Sequence, residues 1–187
     1  MEAEKKLLRR EMRLKLQAAL PERAAHSVEL RAKIDALPQW QTARCVALFY
    51  PLAEEPDLLE LLGDKTKRFV FPCVCAAGIE WREAREPSEF RERTFAGSRL
   101  LSEPAEGNEV AFYKVDLIIV PGLAFTLSGE RLGRGGGYYD RALAGLREDA
   151  LSVGVCFGFQ LRETLPTEPH DKPVHVVLHS SPSGIVV

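Results

Sequence analysis

The chain has 187 residues, 45% hydrophobic and 28% charged, with a formal net charge of −2. That length suits one domain with a full core, spanning residues 1–187, and is short for two. The near-neutral charge argues against a general nucleic-acid binder, no stretch approaches the roughly 18 apolar residues of a membrane span, and the charged start Met1 to Lys6 lacks a signal peptide's apolar run.

The expectation is therefore a cytoplasmic protein, monomeric, without nucleic-acid or membrane partners. Residues 3 to 20 contain no Gly or Pro and are rich in Leu, Lys, Arg and Glu, which predicts a helix. At about 100° per residue, Leu8, Met12, Leu16, Ala19 and Leu20 share one sector of roughly 120°. Lys5 and Arg9 fall in that sector, so they face the body of the protein, while Arg10 and Glu11 face away. Inward cations without a carboxylate on their own face either snorkel to water or welcome a phosphate chain.

A second helix is expected from Glu22 to Leu37, ending before Pro38. The run Arg44 to Tyr50 reads as a strand, followed by the acidic loop Glu54-Glu55-Pro56-Asp57. Those carboxylates could cap the next helical turn through Asp57 or accept bonds from a ligand's N–H groups. Strands are expected at Arg68–Val74 and Ile79–Ala84. From Arg85 to Lys114 the pattern turns irregular and charged, punctuated by Pro87, Gly97, Pro104 and Gly107, and reads as a long excursion. Further buried strands are expected at Asp116–Val120, Ser152–Phe157 and Val174–Leu178, with a loop from Leu165 to Lys172 between the last two. Strands alternating with helices, and apolar on both faces, specify an α/β domain with a mainly parallel sheet. Cys45, Cys73, Cys75 and Cys156 all fall in strand-like runs without a second cysteine pair or a histidine cluster, so they read as reduced thiols in the core rather than a zinc site.

The most informative stretch is Arg131-Leu132-Gly133-Arg134-Gly135-Gly136-Gly137-Tyr138-Tyr139-Asp140. Strand, glycine loop and helix in succession aim backbone N–H groups at an anion. Flexible linkers are Gly/Ser-rich and do not interleave arginines and tyrosines. The spelling excludes two known loops: no Lys-Ser/Thr follows the glycines, and Tyr138 stands where G-x-G-x-x-G requires a third glycine. On the following helix Tyr139, Ala142, Leu143 and Leu146 cluster on one side, so Tyr139 packs inward and Tyr138 is better placed to stack on a flat ligand. Asp140 either complements the helix dipole or holds the Mg²⁺ that accompanies a nucleotide. Asp171 is a plausible second carboxylate, or simply an Asx turn.

Together these residues resemble the 5-formyltetrahydrofolate cyclo-ligase, or methenyltetrahydrofolate synthetase, family. The resemblance is carried by Val120-Pro121-Gly122-Leu123-Ala124-Phe125 leading into Arg131 to Arg141, by Lys5, Leu8 and Arg9, by Leu48 to Pro51 with Glu55 and Asp57, and by Leu101-Ser102-Glu103-Pro104. Some members carry Lys where Gly136 stands. The resemblance implies a three-layer α/β sandwich similar to sugar-phosphate isomerases and CoA transferases. It also implies ATP- and Mg²⁺-dependent cyclisation of 5-formyltetrahydrofolate, with or without a polyglutamate tail, to 5,10-methenyltetrahydrofolate.

By the same resemblance ATP is bound by Lys5, Lys6, Leu7, Leu8 and Arg9 together with Arg131, Leu132, Gly133, Arg134, Gly135, Gly136, Gly137, Tyr138 and Tyr139. The folate is bound by Tyr50, Glu55, Arg134, Gly135, Gly136, Gly137 and Tyr138. Arg134 and Asp140 are catalytic, and Asp140 and Asp171 hold the metal. No protein nucleophile is required, so catalysis rests on positioning and charge stabilisation. Two other readings use the same residues. A sugar-phosphate isomerase on this scaffold would need neither ATP nor the Lys5/Arg9 pair, and a binding protein with a decayed site is compatible with Gly136.

Overall fold

The computed structural model describes residues 1–75, 78–95 and 99–181. Helix α1 runs Glu2–Ala18, and α2, Arg23–Asp35, follows a short 3₁₀ turn. Pro38 does not simply end the helical region as expected. It opens a further short helix, α3 (Pro38–Thr42), from a first-turn position where its missing N–H is not needed.

Strands β1 (Cys45–Ala47), β2 (Arg68–Cys75), β3 (Gly78–Glu83), β4 (Phe90–Phe95), β5 (Arg99–Pro104) and β6 (Leu117–Val120) come next. The chain continues through β7 (Ala124–Phe125), β8 (Arg131–Leu132), helix α4 (Tyr138–Ala144), β9 (Leu151–Cys156) and β10 (Val176–His179). Two expectations are corrected. β1 is three residues long, not seven, because after Ala47 only the Leu48 N–H still reaches β2, on Val70 O at 2.9 Å. The excursion from Arg85 to Lys114 carries the antiparallel β4–β5 hairpin; Gly97 lies outside the described residues.

The main sheet has six strands in the order β10-β9-β6-β1-β2-β3, all parallel except β3, which returns antiparallel beside β2. Alternate residues feed two cores, as the period of a strand requires. Val46, Phe69, Phe71, Leu117 and Ile119 meet Met12, Leu16, Leu30 and Ile34 of α1 and α2. Cys45, Ala47, Val70, Ile118 and Val120 meet Tyr139, Ala142 and Leu143 of α4 on the opposite face. Helices thus cover both faces, the three-layer arrangement, and both-face burial explains why the core strands read as unbroken apolar runs. All four cysteines are free thiols; Cys45, Cys73 and Cys156 are buried, Cys75 half-buried. Burial pushes Cys45 and Cys73 up to about 11 and Cys156 to about 12. No helix among the described residues is long and apolar enough to cross a membrane.

Candidate functional site

Strand numbers rise in both directions from the β6/β1 junction, so the sheet has its topological switch point there, where open α/β sheets gather ligands beyond the strands' carboxyl ends. A cleft of about 340 Å³ opens at that place. Phe49 and Tyr50 follow β1, Val74 is near the end of β2, and Pro121 and Gly122 follow β6; all line it. α1 contributes Glu2, Lys5 and Arg9, the β5 strand contributes Leu101, Ser102 and Glu103, and the 165–172 loop contributes Glu168, His170 and Asp171.

The glycine string is presented by a two-residue ladder. β7 pairs with β8, which fixes Arg131 and Leu132, and the chain then runs through Gly133 to Gly137 into α4. Gly137 precedes α4 at φ +65°, a left-handed conformation that suits glycine. The carbonyls of Gly133 and Gly136 are held from outside the loop by Arg9 Nε (3.1 Å) and Arg141 Nη2 (3.2 Å). Among the described residues the backbone N–H groups of Gly133 to Gly137 have no backbone acceptor. Carbonyls tied down and amides left over make a loop suited to an anion. A Cβ at Gly136 would stand 2.7 Å from the Tyr138 ring, so a lysine there requires that ring to move.

The four cations that the cleft collects, Lys5, Arg9, Arg131 and Arg134, are already paired. Lys5, 3% exposed, is 2.7 Å from Glu168 and 2.6 Å from Asp171. Burial pulls the Lys5 ammonium down, but its hydrogen bonds with Asp171 and Glu168 outweigh that and raise it. Glu168 is held low by Lys5; for Asp171 burial acts upward and is outweighed by Lys5 and the Glu168 N–H. Arg9 pairs with Glu2 at 2.9 Å. That corrects the expectation of an inward face without carboxylates: α1 starts at Glu2, and seven residues return to the same face. Arg131 holds Asp140 at 2.6 Å, and Arg134 lies 3.0 Å from Glu54 and 2.9 Å from Glu55.

The donor set fits a magnesium ion, which takes one or two carboxylates with phosphate oxygens. Asp140 and Asp171 both line the cleft, and each bonds its cation through one oxygen, Oδ1 and Oδ2 respectively; the other oxygen of Asp171 faces His170 Nε2 at 3.7 Å. No cluster of three or more metal-ligating side chains occurs among the described residues.

Tyr50 packs its ring 4.7 Å from Phe90, and Glu55, 6% exposed, spends Oε2 on the Leu52 N–H and Oε1 on Arg134. Asp57 accepts from the Leu59 N–H at 3.1 Å, but the N-cap position of the following 3₁₀ turn is Leu58, without a side-chain cap, so the expected capping by Asp57 is corrected to a bond just before the turn. Tyr138 lies under the Arg141 guanidinium at 5.0 Å, whereas Tyr139 turns inward as expected. The Tyr139 hydroxyl is buried without a hydrogen-bond partner among the described residues, and burial raises its pKa.

The cleft thus collects Lys5, Arg9, Tyr50, Glu55, Arg131 to Asp140 and Asp171, but not Lys6, Leu7 or Leu8. Leu7 is 70% exposed and Leu8 packs on the first core. Glu2, Glu54 and Glu168 were not singled out as partners of these cations. Only Glu2 left a signal, its seven-residue offset from Arg9.

The 5-formyltetrahydrofolate cyclo-ligase family model matches residues 1–180. The chain is 33% identical over 149 residues to the 5-formyltetrahydrofolate cyclo-ligase of Mycolicibacterium smegmatis, covering 73% of this chain and 74% of that one. It is 26% identical over 192 residues to the enzyme of that name from Mus musculus, covering 94% and 93%. Among solved structures it is similar to the NMR structure of Aquifex aeolicus 5,10-methenyltetrahydrofolate synthetase, with a TM-score of 0.79, 34% identity, and 94% and 89% of the two chains covered. The Mycoplasma pneumoniae 5,10-methenyltetrahydrofolate synthetase shares the fold, with a TM-score of 0.72 at 22% identity over 93% and 97%.

Proposed function

The chain belongs to the 5-formyltetrahydrofolate cyclo-ligase family, and from that premise we propose that it converts 5-formyltetrahydrofolate and ATP to 5,10-methenyltetrahydrofolate, ADP and phosphate. The observation that carries the reading is the meeting, in one cleft, of the Arg131–Asp140 string with Lys5 and Arg9 on one side and Tyr50 and Glu55 on the other.

The difficulty of the reaction lies in the formamide, whose oxygen is a poor leaving group. The formyl oxygen attacks the γ-phosphorus, its O–P bond forms, and the bond from phosphorus to the ADP oxygen breaks. The N10 lone pair then attacks the activated carbon, closing a five-membered ring. Phosphate departs with the former formyl oxygen, and N10 gives up its proton. Water must stay out of the closed site, or the activated formyl group would be hydrolysed.

The chain's own share is positioning and charge. The free N–H groups of Gly133 to Gly137, with Arg9, Arg131 and Arg134, receive the phosphates. Lys5 joins them by exchanging Glu168 or Asp171 for a phosphate oxygen. Arg134 serves the transferring group while Glu54 and Glu55 orient it, and Tyr50, Glu55 and Tyr138 contact the folate. Magnesium, held by Asp140 and Asp171, supplies charge neutralisation when bound.

The test mixes the protein with 5-formyltetrahydrofolate and Mg-ATP. Growth of the methenyl absorbance with one ADP per ring closed is the expected result. No chromophore, with ATP intact, would return the reading to a sugar-phosphate enzyme on this scaffold.

A further inference from the structure

Glu103 is a carboxylate that the chemistry above leaves unused, yet it is only 7% exposed and lines the cleft. Its place follows from the sheet. β1 stops opposite Val70, so the second half of β2 has lost its neighbour on that side. The Ala84 N–H bonds Phe69 O, and the β2–β3 register then puts the odd-numbered residues of β2 in the bonded pairs with β3. Pro72 and Val74 therefore turn their backbone groups to the open side. Pro72 has no N–H to leave unpaired, and the Val74 N–H is taken by Glu103 Oε1 at 2.7 Å.

The other oxygen is less committed. Oε2 meets Arg93 Nη1 at 3.3 Å, and the Arg93 side chain is 67% exposed, so solvent screens that pair. Glu55 is held more firmly, with one oxygen on the Leu52 N–H and the other on Arg134, whose side chain is only 16% exposed. A carboxylate oxygen has two lone-pair sites, so Glu103, anchored by Val74, can still accept two parallel N–H bonds. The apolar surfaces beside it, Val74, Ile79 and Leu101, suit a flat ring.

We propose that Glu103 binds the 2-amino and ring N3–H donors of the pterin and so determines selectivity for a 2-amino-4-oxo ring. This rests on the folate reading of the cleft. A guanidine-like pair of donors facing a carboxylate is the geometry that makes charge-assisted bonds strong and selective.

The experiment titrates the full chain, without nucleotide, with 5-formyltetrahydrofolate and with its analogue in which methyl replaces the 2-amino group, by calorimetry. The wild type is expected to bind the analogue about 10–100-fold more weakly. Glu103→Gln keeps an oxygen for the Val74 N–H but turns an NH₂ toward the ring's donors. It should weaken the parent compound alone and bring the two ligands to within about threefold of each other. Equal loss of both ligands in Glu103→Gln, with the preference intact, would make Glu103 only part of the wall. Equal affinity of the wild type for the two compounds overturns the proposal without needing the variant to fold. Wild-type protein that binds neither compound would instead remove the folate reading, and this inference with it.

Discussion

The two halves of the cleft are built on opposite plans. The half formed by α1, the glycine string and the 165–172 loop is dense in charge, and Lys5, Arg9, Arg131 and Arg134 each already face a carboxylate. The half formed by Tyr50, Pro72, Val74, Ile79 and Leu101 is mostly apolar; Glu55 at its border is tied to Leu52 and Arg134, and Glu103 is anchored to backbone. The difference teaches how each half meets a ligand. On the proposed reading, a phosphate entering the first half would exchange with resident carboxylates, so its binding would be a swap of ion pairs with small net gain per pair. In the second, a ring displaces water from apolar walls and gains by burial.

Substitutions can break that comparison by showing effects in the wrong half. The largest effect is expected from Asp140→Asn. It keeps an acceptor for Arg131 but loses the charge, and should lower turnover by about 10²–10³-fold in a protein that still folds but melts lower because the buried Arg131 loses its counter-charge, checked by steady-state assay and calorimetry. Wild-type rates would remove Asp140 from the chemistry. Next, Arg9→Ala should raise the apparent KM for ATP about tenfold, the scale of a charge-assisted bond, and leave that for folate within about twofold. Equal rises would mean that Arg9 only braces Gly133 O, which it also bonds. Tyr50→Ala is the counterpart in the other half. Losing the ring that packs on Phe90 should raise the folate KM by about fivefold and leave ATP unaffected, in keeping with an aromatic contact.

The same contrast explains how much was legible in the sequence. The glycine string is contiguous, so its place between strand and helix reads directly, and the 3.6-residue period alone turned Lys5 and Arg9 inward. The parallel core strands read well because burial on both faces leaves no polar alternation. The β4–β5 hairpin did not, because Arg91, Glu92, Arg93 and Thr94 are all exposed, which gives neither an apolar run nor a period of two. Pairings such as Lys5 with Glu168 and Asp171, or Glu103 with Val74, join segments up to 166 residues apart and leave no local pattern. The apolar half was the harder to foresee, since its walls come from the ends of separate elements.

The smallest effect probes the ion-pair swap through pH. Glu168 and Asp171 have lowered folded values against ordinary ones of 4.5 and 3.8. Their stabilisation is therefore complete above those ordinary values and is lost as pH falls through the lowered ones. Lys5 is raised from 10.5, so its share is complete below 10.5 and is lost as pH rises through the raised value. Other carboxylates held low elsewhere, Glu29 and Asp116 among them, add to the acid slope, so the informative quantity is a difference between variants. Lys5→Met removes the partner and fills its space with an apolar chain. Melting curves from pH 3 to 7 should show wild type losing about 2–4 °C more than Lys5→Met on acidification, with the extra loss confined to the acid side of 4.5. The modest size follows from Glu168 being 30% exposed, where solvent weakens the pair. Parallel curves would mean that the Lys5 pairing contributes nothing to the folded state, and a phosphate would then meet a lysine with no partner to give up.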